Sequence, residues 1–159
     1  MPSTFPFGVG MSHVRGLIKI IRENGGSISI SGLAEESEED VDDLIPLIEA
    51  CKLLGFVVVA KSDIKLTPKG TKISTPGVSS RAIIRESLPR IEPFKSTIKA
   101  LSAGGRNTEE LLAYLQSKKV LPESSEISEQ MLLDMLLTWG VRSRLLSYDQ
   151  ESNRWILVA

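Results

Sequence analysis

The side chains able to do chemistry are few and unevenly placed. Glu35, Glu36, Glu38, Glu39, Asp40, Asp42 and Asp43 crowd one short stretch, which could ligate a cation, occupy the positive end of a helix or face a basic partner. Calcium coordination needs alternating oxygen ligands and a glycine at the turn of the loop, and this run has neither. A helix start accommodates it more simply, because Ser37 can cap and the macrodipole is positive there. Glu38, Glu39, Asp42 and Asp43 are therefore taken as candidate partner-docking residues at a helix entry. Cys51 and His13 each stand alone in their residue type. One thiol excludes an internal disulfide and a cysteine-built zinc site, and a single histidine gives neither a serine triad nor a Cys-His pair any support. Cys51 lies in an apolar helical pattern and reads as a small buried hydrophobe, His13 as a surface residue. Arg81, Arg85 and Arg90, continued by Lys95 and Lys99, make the main basic surface. It is a solvated face in the plain reading and the opening for nucleic acid or an acidic partner in the other. No GxxxxGK[ST] loop is present to cradle phosphates. No catalytic residue, metal ligand or cofactor is expected.

The composition sets outer limits. With 159 residues, 42% of them hydrophobic, the chain can bury one good core or two small ones. Nineteen basic against 20 acidic side chains leave a formal charge of −1, so no global field draws the protein to nucleic acid. No apolar run is long enough to span a bilayer, and the first residues lack the pattern of a signal peptide. The expectation is a cytoplasmic protein that reaches the inner membrane face only through a partner, without inserting directly.

The elements that must position these residues follow from periodicity. Residues 1–10 mix proline, glycine and phenylalanine and predict an irregular arm whose Phe5 and Phe7 pack onto something. Ser12 can cap a helix in which Val14, Leu17, Ile18 and Ile21 keep the i, i+3, i+4, i+7 spacing, ended by Asn24-Gly25-Gly26. A short extended link leads into a helix over ISGLAEES. The next helix runs through VDDLIPLIEACKLLGF, with Val41, Leu44, Ile45 and Ile48 as its predicted inward stripe and Pro46 as a bend. Val57-Val58-Val59, a polar turn and Ile64 to Leu66 predict a β-hairpin, stopped by Thr67-Pro68-Lys69-Gly70. Helix, helix, helix, hairpin is the order of a winged helix, a fold used both to read DNA and to dock on proteins.

A linker is expected within KISTPGVSS, and then the order repeats. A helix over about 80–90 turns Ile84 and Leu88 inward, Pro89 and Pro93 interrupt it, and Phe94 to Leu101 form a helix ended by Gly104-Gly105. Thr108 caps the next helix, the one after begins Ser128-Glu129-Gln130, and Thr138-Trp139-Gly140 correspond to Leu53-Leu54-Gly55. Leu145 to Tyr148 and Trp155 to Val158 predict a second hairpin around a polar turn. Met131 to Trp139 is apolar nearly all round, so either the two halves or a partner must cover it. The fold class expected is mainly α with small β-hairpins (α+β), as tandem winged-helix units over 11–77 and 78–159.

GLIKIIRENGGSISISGLAEES, VDDLIPLIEACKLLGF and DIKLTPKG together resemble the AAA-associated C-terminal domain, and LLDMLLTWGVRSRLLSYDQESNRWIL extends the resemblance over most of residues 13 to 158. Residues Arg90 to Lys95 depart from the pattern. That domain is attached to ATP-binding subunits of nitrate, sulfonate and taurine type ABC importers, and also occurs alone. The resemblance implies an accessory module near a transport ATPase and carries over no catalytic residue. Leu101-Ser102-Ala103-Gly104-Gly105 is similar to the LSGGQ signature of ABC cassettes, but that signature opens a helix toward the γ-phosphate, whereas here the glycines close one.

The acidic run also separates the two uses of the fold. A groove-reading helix leads with residues that contact phosphates and base edges; here the leading turns carry carboxylates, and Lys52 is the lone basic residue from Glu38 to Leu54. The corresponding second helix opens Ser128-Glu129-Gln130, again without a base-reading cation. The expectation is a non-enzymatic interaction and regulatory module that docks on an ABC transporter ATP-binding subunit, with homo-oligomerisation left open. The alternative is a winged-helix DNA-binding transcriptional regulator that uses Arg81, Arg85 and Arg90.

Overall fold

A glycine pair stops the first helix, and that stop decides where the sheet begins. The structure, a computed structural model, describes residues 4–124 and 126–158. Contacts divide these into two compact units, residues 9–80 and residues 4–8 with 81–158. Helices predominate, accompanied by two small antiparallel sheets.

In the unit of residues 9–80, helix α1 (Met11–Glu23) buries Val14, Leu17, Ile18 and Ile21, as the spacing predicts. Its N-cap is Gly10, not Ser12, and the Gly10 N–H donates to His13 Nδ1 at 3.1 Å. At the other end Gly26 N–H reaches Ile21 O at 2.9 Å and Gly25 N–H reaches Arg22 O at 3.1 Å. Both glycines have positive φ, so two orphan carbonyls are satisfied in a Schellman motif. Strand β1 (Ser27–Ser29) follows, and Ser29 Oγ accepts from Gly32 N–H at 3.0 Å to cap α2 (Ile30–Ser37).

Helix α3 (Val41–Leu53) has Asp40 at its N-cap position, with no side-chain capping bond, and runs unbroken through Pro46. Ser37, the expected cap, ends α2 instead and turns its hydroxyl back to the Ala34 carbonyl. The buried arc of α3 is Leu44, Ile48, Ala50 and Cys51, while Val41 and Ile45 are exposed, at 41% and 55%. Two of the four residues expected inward thus face solvent. The arc is set by Leu44, Ile48 and Cys51 at i, i+4, i+7, and Lys52 continues the line of Val41 and Ile45 on the outer side.

Strands β2 (Val57–Ala60) and β3 (Asp63–Leu66) form the hairpin, and β1 joins the far edge of β3 in the order β1-β3-β2, with Ile28, Ile64 and Val59 in register. Thr67-Pro68-Lys69-Gly70 both stops the hairpin and starts α4 (Pro68–Ile73), an unexpected helix whose last turn runs into the start of the stretch expected to be linker. Thr67 Oγ1 accepts from Gly70 N–H at 3.0 Å and donates to Gly55 O at 2.6 Å.

In the unit of residues 4–8 with 81–158, α5 (Ser80–Ser87) buries Ile83 and Ile84, and a 3-10 turn at Leu88–Arg90 leads to α6 (Phe94–Leu101). Helix α7 (Thr108–Ser117) is capped by Asn107, which exchanges bonds with Glu110, not by Thr108. Thr108 is buried, where its Oγ1 accepts from the Trp155 indole N–H at 2.9 Å. Helix α8 (Glu129–Met135) is capped by Ser128 and continues as a π-helical segment, Leu136–Val141. Trp139 from that segment meets the Phe5 ring edge-on at 5.0 Å, and Phe94 meets Phe5 at 5.7 Å. The arm therefore covers part of the apolar helix, an occupant the sequence reading did not consider.

Gly140 is no helix stop. It lies inside the π segment, where a Cβ would come 2.6 Å from Leu146 Cδ1. The left-handed turn falls at Arg144, and Leu145 N–H donates to Gly140 O at 3.0 Å. Strands β4 (Leu146–Asp149) and β5 (Arg154–Leu157) pair antiparallel, and Arg106 adds a single antiparallel bridge to Trp155. In their turn the Ser152 hydroxyl, then the Glu151 N–H, hold the Asp149 carboxyl below its ordinary range.

One glycine should prove irreplaceable. A Cβ on Gly70 would lie 2.1 Å from the Phe56 carbonyl oxygen, a backbone atom with nowhere to go. Gly70→Ala should lower unfolding stability by about 2 kcal/mol or more. Gly16→Ala, on the open outer face of α1, should raise it by about 1 kcal/mol. Urea denaturation of both variants checks the pair.

Candidate docking surface

The acidic run forms the junction between α2 and α3. Glu38 takes the left-handed conformation that ends α2 (φ 58°), Asp40 stands at the N-cap position of α3, and Asp42 and Asp43 occupy its first turn. Glu35, Glu36, Glu38, Glu39, Asp40, Asp42 and Asp43 are all exposed. Among the described residues none of them forms an ion pair; Lys52 at the far end of α3 pairs with Glu49 at 3.4 Å. The positive helix end accounts for Asp42 and Asp43. It does not account for Glu35, Glu36 and Glu38, which lie at the C-terminal end of α2, where the dipole is negative.

Beside the carboxylates stand exposed apolar side chains. Val41 and Ile45 lie one helical turn apart on the outer face of α3, with Asp42, Pro46 and Lys52 also exposed. Isolated exposed hydrophobes are ordinary, but a β-branched pair on one helix line, bordered by charge, has the composition of an interface. The sequence reading placed both residues in the core and so missed this half of the surface. The signal was Lys52, which extends their line into a position no core tolerates.

A groove of about 190 Å³ opens next to this junction, floored by Leu17, Leu33, Leu44 and Leu47 and rimmed by His13 and Glu39. His13 is exposed, as expected of it, and its Nδ1 serves the backbone of Gly10. Cys51 is fully buried, and desolvation pushes its thiol up to about 12. Among the described residues no group of three or more His, Cys, Asp or Glu side chains could hold a metal ion.

The second set of candidates lies in the other unit. Arg81 and Arg85 are exposed on α5 and Arg90 at the end of the 3-10 turn, as are Lys95 and Lys99 on α6. None of these cations lies on α8, the last α-helix of its unit before the β4–β5 hairpin. That helix opens with exposed Glu129 and Gln130.

Comparison with known families adds one finding. The family model described as the C-terminal AAA-associated domain matches residues 31–149, well over half of the chain and narrower at both ends than the span of resemblance read from sequence. The comparison with curated proteins gives no match. No helix among the described residues is long and apolar enough to cross a membrane.

The buried thiol yields a test of the core. Native protein at pH 8 should leave Cys51 unreacted with a thiol reagent over hours, and urea should release it to react at the rate of a free cysteine. Because the folded pKa is raised, burial contributes stability in full below the ordinary thiol pKa and loses it as pH rises toward 12. Denaturation midpoints should fall between pH 9 and 11, and Cys51→Ala should flatten that part of the profile.

Proposed function

We propose that this chain, which belongs to the C-terminal AAA-associated domain family, is a non-catalytic docking and regulatory module for an ABC-type ATP-binding subunit. The observation that carries the reading is the outer face of α3, where Val41 and Ile45 stand exposed beside Glu38, Glu39, Asp42 and Asp43. Such a face fits a protein surface with lysines and arginines around an apolar hollow. Burying Val41 and Ile45 supplies the affinity, and the carboxylates set orientation and association rate.

The scaffold we infer is a pair of winged-helix units. In the first, α1, β1, α2, α3 and the β2–β3 hairpin follow in that order, with β1 on the far edge of β3. In the second, α6, the Arg106 bridge, α7, α8 and the β4–β5 hairpin follow in the same order, with Arg106 on the far edge of β5. On such a scaffold the third helix is the one that meets a ligand. Both third helices lead with carboxylate or amide side chains, which repel a phosphate backbone where a DNA reader would release counterions. Cys51 is sealed in the core and His13 caps a helix, and these roles support a module without chemistry of its own. A location at the inner membrane face follows from the partner.

The exposure of Arg81, Arg85 and Arg90 supports one other reading, a DNA-binding regulator that grips the backbone with α5 and its following turn. The two readings part in one set of experiments. The wild-type chain should bind an ABC ATP-binding subunit in a pull-down of purified components. Ile45→Asp, and separately the charge reversal E39K/D42K/D43K, should each weaken that binding at least tenfold. Fluorescence anisotropy with a short duplex at low salt should stay flat. Undiminished capture by both α3 variants would sink the docking face, and duplex binding that falls steeply with salt and is lost in R81A/R85A would establish the second reading.

A further inference from the structure

The side of α1 turned away from the docking groove carries three cations, and the nearest acid on the helix, Glu23, one turn beyond Lys19, stands outside the cleft they line. Arg15, Lys19 and Arg22 stand at i, i+4 and i+7, so they share one helix line. All three line a cleft of about 530 Å³ that lies wholly within the unit of residues 9–80 and is closed on its other side by the segment 73–80. Like charges at this spacing repel and lower helix stability. Among the described residues no carboxylate lines the cleft to offset them.

The two arginines are already held. Arg22 donates to the Ser74 carbonyl, and to the Ser74 hydroxyl at 3.3 Å, while Arg15 donates to the Ser80 hydroxyl at 2.5 Å. A guanidinium has five N–H donors, so each keeps most of its fork for a ligand while its position is set by the segment opposite. Lys19, one turn from each, is exposed and forms no ion pair among the described residues. Ile18, Ile73 and Val78 complete the wall with apolar surface. A concave, partly apolar site of a few hundred Å³ with convergent cations is the make-up of a small-molecule site.

We propose that this cleft binds a small organic phosphate monoester. Its dianionic head would sit among Arg15, Lys19 and Arg22, and its apolar body against Ile18 and Val78. Three converging cations match a doubly charged tetrahedral head with several acceptor oxygens better than a single carboxylate. A polynucleotide would need a basic strip along a face; these charges end at the cleft. The three cations precede the residues matched by the family, 31–149, whereas the segment 73–80 that closes the cleft lies within them. It stands on a different side of α1 from the docking groove and does not depend on the docking reading.

Isothermal titration of the full chain with phenyl phosphate at low salt tests it. The expected result is saturable one-to-one binding, about tenfold weaker for inorganic phosphate, which lacks the apolar body, and absent for phenol. Lys19→Ala and Arg15→Ala should each weaken phenyl phosphate about tenfold, and Arg85→Ala in the other unit should leave it unchanged. Amide shifts of the wild-type chain, which need no variant, should move in residues 15–22 and 73–80. No saturable binding, equal affinity in Lys19→Ala and Arg15→Ala, or shifts confined to other residues would overturn the proposal, as would displacement of phenyl phosphate by a short duplex at equimolar concentration.

Discussion

The carbonyl oxygen of Phe56 governs the geometry of the first unit. It accepts the Thr67 N–H at 3.0 Å and lies so close to Gly70 that no Cβ fits there. On either side, Phe56 N–H closes the end of α3 on Cys51 O at 2.9 Å, and Gly55, at positive φ, gives its carbonyl to the Thr67 hydroxyl at 2.6 Å. The last turn of α3, the residue that leads into β2 and the first turn of α4 are thereby tied at one point. An unsatisfied buried carbonyl costs about as much as a lost hydrogen bond, so the hairpin cannot slip without leaving Phe56 and Gly55 unpaired. The tie also sets the roll of α3 about its axis, and with it which side chains face water.

The other unit builds the same corner from different residues. Leu145 O accepts from Val158 N–H at 3.1 Å as Phe56 O accepts from Thr67 N–H, and Leu145 N–H closes the preceding helical segment on Gly140 O. Here the left-handed residue is Arg144, where the first corner has Gly55. An L-residue other than glycine is held there at a cost of about 1 kcal/mol. The glycine is used one turn earlier, to admit Leu146 against the π segment. What recurs between the units is thus a hydrogen-bonding solution, not a residue pattern.

That difference explains what could be read from the sequence. Gly25-Gly26 and the hairpin turns act within a few residues of themselves, and such signals survive in one dimension. Gly140 looked like Gly55 because both close an apolar run before a strand, yet one makes a left-handed turn and the other makes room for a side chain six residues on. Phe5 could be marked as a residue that must pack, but its seat between Phe94 and Trp139 is a contact across most of the chain. The stripe of α3 failed for another reason. Val41, Leu44, Ile45 and Ile48 satisfy the helical spacing, but so do Leu44, Ile48 and Cys51, and only Lys52 told the two solutions apart. Periodicity predicts that a helix has an inward face; with apolar residues on both sides, it leaves open which face that is.

The misassigned pair changes what the acidic run can mean. Carboxylates alone on a helix entry are well explained by the dipole and by solvation, and they would add little affinity for any partner. Set beside exposed Val41 and Ile45, the same charges border an apolar line, and burial of that line is what a partner could gain from. The net charge of −1 conceals this arrangement because α1 separates it from its opposite. Leu17 and His13 lie on the groove beside Glu39, while Ile18 and Lys19 lie on the cationic cleft. A protein with little net field attracts no ligand from afar. One whose acidic and basic surfaces are held apart by a packed helix can still present each to a different ligand, and α1, with four side chains in the core, is the element that keeps them apart.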